Sequence, residues 1–197
     1  VQASGAGVAA APAVAATPGL GQMAPPKATP GLAAAPAPAR APTAATGQVN
    51  LYISAAAADE RFLKRLVEQL KPLEDAKLVR VSHAGQVRPG EDRRKTMGAM
   101  LSRAQIVLPL LSSDYTASAE QEQELASALT RADSGEAVVI PVLARPCLWQ
   151  MALRGRDLQP LPASGKPLST SASLDDALLE VVVGVQGEAT RLQKKAS

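Results

Sequence analysis

Three carboxylates, Glu120, Glu122 and Glu124, follow a nearly continuous apolar run, Ile106 to Leu111, in the stretch QIVLPLLSSDYTASAEQEQELASAL. A run of that length and composition suits a strand buried on both faces of a parallel sheet. Ser112, Ser113 and Asp114 punctuate it, and Ser118 with Gln121 gives the Ser-x-x-Gln pattern of a capping box, so a helix is expected from about Ala119. Along that helix Leu125, Ala128, Leu129 and Ala132 share one face, while Glu120, Glu124, Ser127 and Arg131 share the other. Glu124 then stands early in a helix after a central strand, outside the carboxyl ends of the strands, where open α/β sheets bind ligands. Glu120, one turn before it, disfavours ionising both and nudges one pKa upward. Taken alone, the stretch reads more plainly as a solvated acidic helix face.

Other residues offer less. His83 has the chemistry of an acid or base, but it lies in a polar loop with no second histidine in the chain. Cys147, the single cysteine, lacks a base to activate it and is flanked by Pro146, Leu148 and Trp149, which suits burial as a small apolar group. It also excludes an intramolecular disulfide and, with one histidine, a Cys/His zinc cluster, so no metal is expected. The Pro89-Gly90 turn lacks the G-x-x-x-x-G-K-[ST] arrangement of a phosphate loop.

The elements that must position these residues follow from periodicity. VNLYI, 49–53, is a first strand ending at Ser54. Asp59 is the expected N-cap of a helix that ends before Pro72, with Phe62, Leu63, Leu66, Val67, Leu70 and Leu73 on its apolar face. KLVRV, 77–81, alternates apolar and basic and suits an outer strand. After the loop SHAGQVRPGED, Glu91 and Asp92 open a helix to about Arg103, with Met97, Met100 and Leu101 inward. Pro109 inside the central strand implies a bulge or a strand end. AVVIPVL, 137–143, is a further buried strand, residues 145–166 an irregular arm, 167–170 a fifth strand, and Ser173 caps a last helix with Ala177, Leu178, Val181, Val182 and Val185 inward. Five strands alternating with helices imply an α/β, flavodoxin-like five-stranded parallel sheet with helices on both faces.

Residues 1–47 hold half of the sixteen prolines, no acid, and only Lys27 and Arg40 as charges. Such a segment cannot bury enough surface to offset chain entropy, so 1–47 is expected to be a disordered Ala/Pro-rich linker. Removing its two basic residues from the 21 leaves 19 against 18 acids. A nearly neutral remainder with scattered aromatics argues against a nucleic-acid partner. No signal peptide or membrane span is visible, and reducing cytosol is the natural compartment for a lone cysteine. A chain starting at Val1 reads as a fragment or an alternative start, and an upstream sensor domain joined by the linker is expected.

The order of elements and the words in the loops resemble the Toll/interleukin-1 receptor (TIR) domain, specifically its bacterial branch. The matching words are LYIS at 51–54, DE at 59–60, VRVSHAGQVRPGE at 79–91, IVLPLLSSDY at 106–115, the E-x-x-x-A-L of Glu124 to Leu129, VVIPVLARPCLW at 138–149 and LQPLPASGKPLST at 158–170. They place a TIR domain over 48–186, with 187–197 as a disordered tail. The resemblance implies homotypic TIR–TIR association through the second-strand loop, here His83, Arg88, Pro89 and Gly90, and cleavage of the nicotinamide–ribose bond of NAD+. Glu124 aligns with the family's catalytic glutamate, with Glu120 and Glu122 as alternatives one register away. Ser54, Asp59 and Arg88 are the substrate-binding candidates. NAD+ would be a substrate, and no resident cofactor is implied. The chain departs from the family at Ala55 to Ala58, at Ser82 and Ala84 around the histidine, at Arg93 in place of a common Trp, and at Ala119 to Gln121 where a Trp/Tyr-Cys pair is frequent. Those departures favour the alternative, a catalytically inactive adaptor working by contacts alone. A phosphoacceptor receiver fits worse, since Ser54 and Ser112 stand where it needs acids.

Overall fold

A computed structural model of the protein describes residues 47–196. The linker expected over 1–47 lies outside the described residues, save Gly47. The strands are β1 (Val49–Ala55), β2 (Val79–His83), β3 (Ile106–Leu111), β4 (Val138–Val139) and β5 (Val142–Leu143). All pairings are parallel, in the order β2-β1-β3-β4, and β5 also pairs with β3. The helices are α1 (Glu60–Asp75), α2 (Arg93–Arg103), α3 (Ser113–Ala117), α4 (Ala119–Asp133), α5 (Trp149–Ala152) and α6 (Leu174–Ala196).

Two apolar layers sandwich the sheet because successive strand residues point to opposite faces. Leu51, Ile53, Leu108 and Leu110 pack with Leu66 and Leu70 of α1 and Val181 and Val185 of α6. Tyr52, Val107 and Leu111 pack with Leu101 of α2 and Leu125, Ala128 and Leu129 of α4. All six β3 residues are buried, as a strand covered on both faces demands. Asp92 caps α2, its side chain accepting from the Lys95 N–H at 3.1 Å, and Ser173 caps α6 by accepting from Asp176 N–H at 3.2 Å.

Several local expectations are corrected. α1 does not stop before Pro72 but continues to Asp75, since burial of Leu73 on its inner face holds the last turn despite the missing donor. The outer strand begins at Val79, two residues late, because Lys77 takes a left-handed turn conformation, φ +58°. The Ser118–Gln121 capping box does not form: Ser118 makes no side-chain cap, and Gln121 is buried. The segment 167–170 is a 3-10 turn, Leu168–Thr170, and not a strand. The fifth strand arises because the Ala137–Leu143 run is divided at Pro141 into β4 and β5. Finally, α6 runs through 187–196, where a disordered tail is expected, with Ala189 buried against the core.

Pro109 neither bulges nor ends β3; Ser54 on β1 stays in register with it. The interruption is on the other side, where β3 pairs Val107 with Val139 and then resumes at Leu110 with Val142. Neither Pro109 nor Pro141 can donate there. Beyond β5, Leu161 completes the edge: its N–H donates to Pro141 O at 2.7 Å, and its carbonyl accepts from Leu143 N–H at 2.8 Å. On the opposite edge, β2 is met by side chains, with Glu74 accepting from Val81 N–H at 2.8 Å and Gln86 donating to Val81 O at 3.4 Å.

Candidate functional site

In a parallel sheet every strand ends on the same edge, so β1 delivers Ser54, and β3 leads directly into Ser112, at one place. Tyr52 and Ser54, two residues apart on β1, share a face, and that face meets Glu124 on the second turn of α4. The Ser54 hydroxyl donates to Glu124 Oε2 at 2.5 Å, and the Tyr52 hydroxyl donates to Oε1 at 3.2 Å. Tyr115, on α3, donates its hydroxyl to Ser54 Oγ at 3.1 Å. Tyr52, Ser54 and Tyr115 are all buried, whereas Glu124 is half-buried. No ion pair to Glu124 forms among the described residues.

Burial pushes the Glu124 carboxyl above its ordinary range. The hydroxyls of Ser54 and Tyr52 pull it back by bonding its charged form, Glu120 pushes it further up, and Arg93 pulls it down, without cancelling the burial. Both tyrosine hydroxyls are raised, chiefly by burial, so they remain donors. Glu124 faces a groove of about 270 Å³ between α2 and α4, lined by Met97, Leu101, Glu120 and Ser127 among others. A second cleft, of about 560 Å³, opens at the end of β1 beside Ala55, Ala56 and Ala57, and His83, Lys64 and Arg93 also line it. Arg93 therefore stands at the cleft and within electrostatic reach of Glu124.

The other candidates separate. Asp59 is fully buried and holds the N-cap position of α1, but its side chain makes no capping bond: Arg145 Nε donates to its Oδ1 at 2.7 Å, and the Ser112 hydroxyl donates to its Oδ2. Arg145 also pairs with Asp114. Ser112 in turn accepts from Tyr115 N–H at 3.1 Å, capping α3. Arg88, Pro89 and Gly90 form an exposed turn, with Gly90 at φ +88°, a conformation that favours glycine. Arg88 N–H donates to Glu91 Oε2 at 3.3 Å, and Arg88 lines neither the groove at Glu124 nor the cleft at the end of β1. His83 Nδ1 accepts from Gly85 N–H at 3.1 Å, and burial lowers the ring's pKa, so the neutral form is favoured. Glu122 is exposed and pairs with Arg154 at 3.5 Å, whereas Glu120 lines the groove beside Glu124. Burial raises the Cys147 thiol, the opposite of activation.

Tyr52, Tyr115 and Arg145 are functional neighbours that sequence reasoning missed. Strand period alone puts Tyr52 on the face of Ser54, whereas nothing local in ARPC indicates that Arg145 reaches back to Asp59, 86 residues away. Among the described residues no group of three or more His, Cys, Asp or Glu is disposed to hold a metal ion, and no helix is long and apolar enough to cross a membrane.

A family model described as TIR domain matches residues 51–179. A Sinorhizobium fredii protein described as "Uncharacterized protein y4lF" is 32% identical over 149 residues, covering 75% of this chain and 46% of that relative. The chain thus spans about half the length of the curated relative it matches. Among solved structures, the TIR domains of the activated Roq1 resistosome directly recognizing the pathogen effector XopQ are similar at a TM-score of 0.41 and 13% identity, over 76% of this chain and 81% of that one. The family match covers most of the folded region, with β1 from Leu51 onward, the other four strands and the glutamate-bearing helix included, and the chain belongs to the TIR-domain family of signalling and defence proteins.

Proposed function

We propose that this TIR domain self-associates and cleaves the nicotinamide–ribose bond of NAD+ at Glu124. The observation that carries the catalytic part is a half-buried carboxyl held by two hydroxyls, with no cation paired to it among the described residues, lining the groove between α2 and α4. As the glycosidic C–N bond breaks, its electron pair neutralises the nicotinamide ring nitrogen and positive charge develops on the ribose. A fixed carboxylate stabilises or traps that charge. Water then adds at the same carbon and gives up a proton, leaving ADP-ribose; where a nucleophile within the same ADP-ribosyl moiety adds there in place of water, a cyclised form results. The part played by self-association is supported by the exposed Arg88-Pro89-Gly90 turn and by the apolar side chains of Leu148 and Met151, 71% and 75% exposed.

An adaptor without catalysis is the second reading, favoured by the cleft wall at Ala55, Ala56 and Ala57, which presents no ring to stack on a nucleotide base. The two are separated by nicotinamide release from NAD+ with the full chain clustered on a multivalent scaffold, beside Glu124→Gln. Turnover that falls by about 1000-fold or more in the variant is expected. Silence from both proteins, with clustering verified by light scattering, would overturn the enzyme reading and leave the adaptor.

A further inference from the structure

We propose that Tyr115, Ser54 and Glu124 form a one-way hydroxyl chain, in which Tyr115 and Ser54 are positioning residues that aim the carboxyl. The proposal rests on the reading of Glu124 as the group that acts on NAD+, and it moves Ser54 from contact with substrate to support of the carboxyl. A serine hydroxyl carries one proton and two lone pairs. Tyr115 donates into one lone pair at 3.1 Å, so the Ser54 proton does not point back at Tyr115 and goes to Glu124 Oε2 at 2.5 Å. Tyr115 is 1% exposed and Ser54 2%, so water does not compete for these bonds. Chains of this kind polarise successive members in a low-dielectric setting, strengthening the last bond.

Tyr115 is held from further back. The backbone of Tyr115 is pinned by its N–H to Ser112 Oγ at 3.1 Å, which seats the ring against the sheet. Tyr52 supplies an independent second bond to Oε1 at 3.2 Å. With each carboxylate oxygen accepting one hydroxyl, rotation of the Glu124 side chain breaks a bond on either side. Glu124 also lines the groove beside α2. The groups that bear on the titration of Glu124 are Ser54 and Tyr52 from β1, Tyr115 from α3, Glu120 from α4 itself and Arg93 from α2.

The test is Ser54→Ala and Tyr115→Phe in the full chain, read by NAD+ turnover on the clustered protein and by carboxyl NMR titration of 13C-labelled Glu124. Expected for Ser54→Ala is a kcat loss of about 30-fold with KM within about twofold, and for Tyr115→Phe a loss of about fivefold. The Glu124 titration midpoint should rise in both variants, more for Ser54→Ala, because each weakens a bond to the charged form. Matching denaturation midpoints establish that Tyr115→Phe, which keeps the ring, is folded. A raised KM with kcat intact in Ser54→Ala would overturn the proposal by making Ser54 a substrate contact. So would a Tyr115→Phe protein whose kcat and titration match the parent. If the parent itself turns over no NAD+, the reading of Glu124 as catalytic fails, and the titration alone decides the chain.

Discussion

Asp59 and Glu124 both reach into the edge of the sheet where the strands end, and both accept hydrogen bonds from serine hydroxyls; their charges are handled differently. Asp59 is fully buried and is matched by Arg145, which also holds Asp114, so that ionised groups of both signs close on one another. Glu124 is met by hydroxyls alone, keeps one side toward a groove, and is pushed up by burial. A carboxylate neutralised by a cation that bridges it to a second carboxylate is held for architecture, since its charge is already answered. One held only by neutral donors retains charge to offer to something else. The two clusters touch at Ser112, whose hydroxyl donates to Asp59 while accepting from the backbone of Tyr115.

The comparison can be broken most forcefully at Arg145. Arg145→Met leaves Asp59 buried without its cation and should cost about 3 kcal/mol of folding stability in urea denaturation. A loss no larger than that of a surface substitution would mean that the charged cluster is not structural. Ser112→Ala removes both the hydroxyl on Asp59 and the cap on α3, and about 2 kcal/mol is expected by the same measurement. The smallest effect, and the sharpest in sign, belongs to Glu124→Gln. A carboxyl whose folded pKa lies above its unfolded value gives its full contribution to stability below the unfolded pKa and loses it as pH rises through the folded one. Melting temperatures followed from acid to neutral pH should therefore show the parent falling relative to Glu124→Gln. The opposite trend would place Glu124 among the paired carboxylates with Asp59.

How much of this was legible in the sequence depended on range. The strands β1 and β3, the helices α1, α2 and α4, and the parallel α/β class follow from local periodicity, and the TIR family followed from words in the loops. Glu124 was legible as a carboxylate beyond a central strand. Its partners were legible only in part: period 2 puts Tyr52 beside Ser54, but the contact of both with α4 spans more than seventy residues for Tyr52 and seventy for Ser54. Asp59 stands at the N-cap position, but that its side chain does not cap was not legible for the same reason, because Arg145 and Ser112, which claim its carboxylate, come from two other strand ends. The Ser118–Gln121 pattern misled in the other direction: a local motif was present, but burying Gln121 in the interior withdrew its side chain from the helix terminus. Pro141 split a run that hydropathy alone presents as one strand.

The interrupted border at β4 and β5 has a consequence for how copies of the domain can meet. A strand of another molecule adds to a sheet only where a row of free donors and acceptors is offered. Here that row is cut by Pro141 and occupied by the backbone of Leu161, while on the far side Glu74 and Gln86 engage Val81. Both borders are thereby guarded against fibre-like growth. Self-association, as proposed above, is left with surface-to-surface contacts through helices and loops, and with a built-in safeguard against gathering by the wrong route.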